Sequence, residues 1–195
     1  MMPRWMYGAL LGLPWIIWLI YWAVAARGAK PTARREDAGS RIVYILLFII
    51  GGILCVRRPP GPGLAAFYLP RDLLLPAYWA GVVLIISGLS YTVWARRHLG
   101  RNWSGTVTVK EDHELIRSGP YAFTRHPIYT GIMFAMVGNV LAQAQWRGLV
   151  GFALFFMGLV IKMRIEERFM TETFGEAYTR YKAEVPALVP RFWPR

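Results

Sequence analysis

Residues 97–131 read RHLGRNWSGTVTVKEDHELIRSGPYAFTRHPIYTG, and they decide how the rest of the chain is organised. The stretch is polar and carries His98, His113 and His126, the three histidines of the protein. Long apolar runs flank it on both sides. At its end, Arg125-His126-Pro127 reads as a helix entry, because proline is tolerated at a first helical position whose N–H would be unpaired anyway. The N–H groups of Ile128 and Tyr129 then point out of a helix end that favours carboxylate or phosphate. The same three residues would serve equally as an interfacial anchor.

Working outward, apolar runs dominate. Of 195 residues, 55% are hydrophobic, above the share of an ordinary soluble domain. Trp5–Ala26 has 22 residues without a charge, enough to cross a hydrocarbon layer of ~30 Å at ~1.5 Å per residue. Ala23-Val24-Ala25 resembles a signal-cleavage site, yet the run exceeds the ~7–15 residues of a signal core, so it reads as a span. Gly8 and Gly12 form a weak GxxxG, and Pro14 is a candidate kink. Ile42–Val56 is a shorter run of 15 residues, with Arg41 and Arg57 placed to snorkel. Arg57–Gly63, rich in proline and glycine, ends it. Leu73–Ala95 is the third span, Pro127–Trp146 the fourth, and Gly148–Ile161 begins a fifth, separated from the fourth by Arg147 alone.

The chain is therefore expected to be all-α: a polytopic membrane protein of about five helices, residues 1–195 in one domain. Residues 1–72 would be a two-helix N-terminal part and 73–195 a catalytic core. Lys162–Lys182 continues the fifth span as a charged helix, with a break at Gly175 and a Phe174, Tyr178, Tyr181 stripe packed toward the membrane side. Ser118-Gly119-Pro120 reads as a turn, and Thr106–Val109 as extended.

The net charge of +12 does not point to nucleic acid, because the cations cluster between apolar runs. Five alternating spans put 18 of the 23 Lys and Arg on the side of the organising loop and 5 on the other. The positive-inside rule then places the N-terminus outside, and the loop and C-terminus in the cytoplasm. This hairpin brings the helix end at Ile128–Tyr129 beside Glu166-Glu167. A carboxylate-seeking end beside ammonium-seeking carboxylates suits an amino-acid-like ligand. Alternatively, the two glutamates only balance Lys162, Arg164 and Arg168. Cys55 is the single cysteine and reads as a buried, inert thiol.

One family matches these residues. Leu99-Gly100-Arg101-Asn102-Trp103-Ser104, His113-Glu114-Leu115-Ile116, Gly119-Pro120-Tyr121 and Arg125-His126-Pro127-Ile128-Tyr129-Thr130-Gly131 come first. Glu166-Glu167, Phe174-Gly175, Tyr178, Tyr181 and Val185-Pro186 follow the hairpin. In this order and spacing they resemble the isoprenylcysteine carboxyl methyltransferases and the related phospholipid methyltransferases. The resemblance covers roughly Leu99–Pro190. It implies S-adenosylmethionine as cofactor, a lipophilic or lipidated acceptor, a pocket at the cytoplasmic membrane face, and no metal. It also implies that Thr106, His113, Glu114, Leu115, Ile116, Tyr121, His126, Pro127, Ile128, Tyr129 and Glu166 hold the cofactor. Glu167 competes with Glu166 for that role. Lys162 or Arg164 would face the substrate, where arginine is usual in the family.

The chemistry is consistent with this. Tyr121, Tyr129 and Trp103 offer flat faces to adenine or to a sulfonium, although Trp103 also suits an interfacial anchor. No GxGxxG follows a strand, which argues against a Rossmann site. Three further functions compete: an amine or phospholipid N-methyltransferase, an NADPH-dependent reductase of the sterol-reductase type, and a non-enzymatic scaffold or transporter.

Overall fold

The computed structural model describes residues 3–28, 32–36, 38–56, 70–103, 108–110 and 114–190. Among these residues, six α-helices carry the fold: α1 (Arg4–Ala25), α2 (Ala38–Val56), α3 (Arg71–Leu99), α4 (Pro127–Gln143), α5 (Trp146–Phe174) and α6 (Glu176–Glu184). Two short strands, β1 (Thr32–Arg35) and β2 (Thr108–Lys110), pair antiparallel. They are a small addition to the expected all-α architecture. The extended reading at 106–109 is met at residues 108–110; 106 and 107 lie outside the described residues.

Among the described residues, four helices are long and apolar enough to cross a membrane: Trp5–Ala25, Ala38–Cys55, Asp72–Leu99 and Trp146–Phe174. They make the chain a multi-pass membrane protein. The second begins at Ala38, not Ile42, because Arg41 lies within its first turns, where it can snorkel. The fourth expected run is α4. It has 17 residues, shorter than Pro127–Trp146, because Ala144 turns left-handed at φ 48° and α5 starts at Trp146. The hairpin therefore turns at Ala144-Gln145 and not at Arg147. α5 runs on without interruption to Phe174, where Gly175 takes φ 54° and α6 begins.

The helices alternate in direction. At one end, the Arg96 guanidinium of α3 donates to the Ala25 carbonyl that closes α1, at 2.6 Å. At that same end Lys162 of α5 reaches the Tyr44 ring near the start of α2. At the other end, the Cys55 thiol of α2 donates to Gly148 O at 3.3 Å, and Gln143 of α4 donates to Cys55 O at 2.6 Å. The ends of α1, α3 and α5 thus gather with the starts of α2 and α4.

α3 and α4 are held by paired glycines. A Cβ on Gly88 would stand 2.5 Å from Gly131 O, and a Cβ on Gly138 would stand 2.5 Å from Gly81 O. Both pairs recur at seven residues, two helical turns, so they lie on one face of each helix. Close backbone approach is how membrane helices gain packing without a hydrophobic drive between them. Gly131→Ala is expected to cost ~1–3 kcal/mol, measured as thermal unfolding in detergent. The control is Gly8→Ala, because an added Cβ there meets nothing within 4 Å. Equal behaviour of the two variants would rule out the seam. The Gly8/Gly12 pair accordingly has no partner helix among the described residues.

Candidate functional site

A cavity of about 370 Å³ opens at the end where α1, α3 and α5 finish and α2 and α4 start. Its polar side is built by the segment 114–129 and by α5. Glu114, Leu115, Ile116, Tyr121, His126, Pro127, Ile128, Tyr129, Lys162 and Glu166 all line it. Thr106 and His113 lie outside the described residues.

Local structure explains how these side chains are aimed. Gly119 takes φ 60° and opens a single 3-10 turn, Gly119–Ala122, which buries Tyr121. The Tyr121 carbonyl accepts from the Tyr181 hydroxyl of α6 at 2.6 Å. Burial raises the Tyr121, Tyr178 and Tyr181 phenols above their ordinary range, so these hydroxyls stay protonated at neutral pH. The next residues bond to the chain after α6: Arg125 N–H donates to Pro186 O at 2.9 Å, and His126 N–H to Ala187 O at 3.0 Å. The hydroxyls of Thr124 and Thr130 donate to Ala187 O and Leu188 O, both at 2.6 Å. This strap holds the start of α4. Pro127 occupies its first position, and Ile128 and Tyr129 have no helical carbonyl one turn back to receive their N–H groups.

The two adjacent carboxylates have different surroundings. Glu166 lines the cavity. Its Oε1 accepts from the Tyr129 hydroxyl at 2.5 Å and lies 3.7 Å from Lys162 Nζ, while Oε2 is 3.6 Å from His126 Nδ1. The His126 and Tyr129 rings stack beside it, 5.3 Å apart and nearly parallel. Glu167 is absent from the cavity wall. Its Oε1 accepts from Arg125 Nε at 2.9 Å and Nη2 at 2.6 Å, and lies 3.2 Å from His126 Nε2. Lys182 Nζ sits 3.3 Å from its other oxygen. Arg125 also donates to the carbonyls of Lys182 and Val185. Glu167 therefore ties α5 to the start of α4 and the end of α6, and of the two glutamates it is Glu166 that lines the cavity.

Lys162 and Arg164 separate in the same way. Lys162 is buried at 8% exposure with its ammonium on the cavity wall. Arg164 is exposed and off the wall, because two residues along a helix turn a side chain by about 200°. In the Phe174, Tyr178, Tyr181 stripe, Tyr178 and Tyr181 are each 2% exposed and line the cavity.

Several wall residues carried no assigned role in the sequence. Trp18 and Trp22 come from α1 and Phe48 from α2. Trp103, expected as a stacking face or an anchor, is a wall residue, edge-on to Trp22 at 5.7 Å with the Arg96 guanidinium 4.4 Å over its ring. Asn102 beside it also lines the cavity, and its buried Oδ1 has no hydrogen-bond partner. Its place in the Gly100–Trp103 motif was the available signal.

A model of the phospholipid methyltransferase family matches residues 76–177, from the first turns of α3 into α6. The chain is 31% identical over 116 residues to a protein-S-isoprenylcysteine O-methyltransferase of Saccharomyces cerevisiae, covering 56% of this chain and 47% of that protein. It is 29% identical over 94 residues to the protein of that name in Schizosaccharomyces pombe, covering 47% and 40%. A cobalt-zinc-cadmium resistance protein, CzcN, of Cupriavidus metallidurans is 29% identical over 119 residues, covering 58% and 52%. The chain thus spans about half the length, or less, of the curated relatives it matches. Among solved structures, a eukaryotic intramembrane Ras methyltransferase (isoprenylcysteine carboxyl methyltransferase) superposes with a TM-score of 0.50 at 20% identity. That match covers 81% of this chain and 54% of the other, and it speaks for the fold. Because the family match covers more than half of the chain and takes in the segment 114–129 and α5, which build the cavity's polar side, the chain belongs to the phospholipid methyltransferase family.

Proposed function

We propose that this chain transfers a methyl group from S-adenosylmethionine to a lipophilic acceptor, by carboxyl O-methylation of an isoprenylcysteine-like group. The observation that carries the reading is the pairing of the open α4 end with Glu166 across one aromatic-walled cavity. Ligand cavities of small molecules run from about 300 Å³ upward, so about 370 Å³ suits a nucleoside-sized cofactor. The donor set fits as well: Ile128 and Tyr129 N–H groups for a carboxylate, Glu166 for an ammonium or ribose hydroxyls, and ring faces for adenine. Bound there, the cofactor supplies an electrophilic methyl on a sulfonium.

The chain's own residues do the rest. Lys162 presents a cation to an anionic acceptor. The aromatic walls exclude water, which strengthens each charge contact. A carboxylate acceptor is ionised at pH 7, since its ordinary pKa is near ~4, so positioning alone suffices and no general base is needed. The family match also raises an amine acceptor, and Trp18, Trp22 and Trp103 would suit a cationic head group. Lys162 on the wall disfavours it. A transfer assay from labelled S-adenosylmethionine into N-acetyl-S-farnesylcysteine and phosphatidylethanolamine separates the two. Methylation of phosphatidylethanolamine alone would move the reading to an N-methyltransferase. Binding of NADPH without S-adenosylmethionine would move it to a reductase.

The five-span topology belongs to the same proposal. In the alternating arrangement, α4 crosses although its 17 residues make it the shortest of the spans. The 18 of 23 Lys and Arg that the five-span reading assigns to the cavity side support a cytoplasmic orientation for that side. Ser118→Cys, at an exposed position on the cavity side, should be labelled by a membrane-impermeant maleimide only from the cytoplasm, and Arg147→Cys only from outside. Labelling of Ser118→Cys from outside would reverse the orientation.

A further inference from the structure

We propose that Tyr44 of α2, anchored by Glu36, is a positioning residue that holds the Lys162 ammonium at the cavity wall. For the acceptor this rests on the function proposed above; for Lys162 it rests on geometry. The Lys162 ammonium lies 5.7 Å from the Tyr44 ring centroid and 5.6 Å from the Tyr129 ring centroid, inside the ~6 Å reach of a cation–π contact. Glu166 Oε1 supplies the opposite charge at 3.7 Å. Tyr129 and Glu166 belong to the core that the family match covers, and Tyr44 does not, since the match begins at residue 76. The N-terminal part of the chain therefore contributes half of the aromatic clamp.

Tyr44 is itself fixed. It is 3% exposed, its hydroxyl donates to the Glu36 carboxylate, and its ring leans on Phe48 at 5.6 Å. Phe48 in turn packs on Phe155 of α5 at 4.6 Å. Glu36 follows directly on β1, which pairs with β2, and β2 lies on the segment that leads to the cavity-lining residues 114–116. One hydroxyl thus joins the sheet, α2 and the ammonium on α5. A flexible four-carbon side chain held between two ring faces and a carboxylate loses most of its freedom before an acceptor arrives, and such preorganisation favours binding.

The test uses the full chain in lipid nanodiscs, with N-acetyl-S-farnesylcysteine as acceptor, S-adenosylhomocysteine as the cofactor-side ligand, and acetylation of Lys162 by sulfosuccinimidyl acetate read by mass spectrometry. Tyr44→Leu removes the ring, and Tyr44→Phe keeps the ring and loses the Glu36 anchor. Losing one cation–π partner should raise acceptor KM ~5–30-fold in Tyr44→Leu, with S-adenosylhomocysteine affinity within about twofold of the parent. Lys162 should acetylate several-fold faster in Tyr44→Leu, with Tyr44→Phe recovering most of both effects. In a Lys162→Met background, Tyr44→Leu should add less than about twofold to acceptor KM, because a residue acting through another has no independent effect. An unchanged Lys162 acetylation rate in Tyr44→Leu, or a full Tyr44→Leu effect without Lys162, would overturn the proposal. Faster acetylation with no methyl transfer to any acceptor would uphold the clamp and defeat the proposed function instead.

Discussion

Glu166→Gln is expected to weaken S-adenosylhomocysteine binding tenfold to a hundredfold, ~1.5–3 kcal/mol, with little change in the folded state. The substitution keeps the side chain's shape and an oxygen for the Tyr129 hydroxyl, and removes only the charge. That charge sits on a cavity wall at 23% side-chain exposure, where an ammonium or ribose hydroxyl would meet it partly desolvated. His126→Ala should also weaken binding, because its ring stacks on Tyr129 and stands between Glu166 and Glu167 at the start of α4. The two losses need not add, since both act on one ligand. Glu172→Gln is the control: it lies on the same helix, 43% exposed, paired with an exposed Arg168. Calorimetry in detergent giving equal, small effects at Glu166, His126 and Glu172 would remove the site.

The adjacent glutamates mark how far the sequence can be read. Their motif placed both at the foot of α5. Successive residues point about 100° apart on a helix, so only one of two neighbours faces a given cavity. Which one does depends on how α5 is rotated, and that is set by packing. The Gly51–Gly151 contact of α2 with α5 sets it, where a Cβ on either residue would stand 2.6 Å from the other's carbonyl. Lys162 and Glu166, four residues apart, necessarily share a face, and Arg164 necessarily leaves it. That much was readable from the spacing once the helix was assigned.

The spans were legible because a long apolar run without charge is most stable inside a bilayer. Their ends were less so. Ala144 is an ordinary residue that takes a left-handed conformation, and no local signal announces it. The β1–β2 pairing joins residues more than 70 positions apart through main-chain bonds, so no periodicity reports it. The wall residues Trp18, Trp22 and Phe48 were unreadable for a different reason. In a membrane helix, an aromatic facing a ligand and one facing lipid follow the same composition rule.

Glu167→Leu is expected to destabilise the protein by ~3–5 kcal/mol, the cost of leaving a buried cation without its partner. The Arg125 and Glu167 side chains are 10% and 14% exposed, and Arg125 Nε and Nη2 both donate to one oxygen of Glu167. Without that carboxylate, Arg125 keeps only the Lys182 and Val185 carbonyls, neither of which balances its charge. His126 and Lys182 lose the same partner. The effect should appear as a lower unfolding temperature in detergent, and it should spread to the strap, because Arg125 and His126 also donate their main-chain N–H groups to Pro186 and Ala187. Arg125→Leu combined with Glu167→Leu should cost less than the sum of the single changes, since removing both charges leaves neither stranded. Glu167→Leu that melts like the parent while abolishing S-adenosylhomocysteine binding would return Glu167 to the ligand and take the structural role from it.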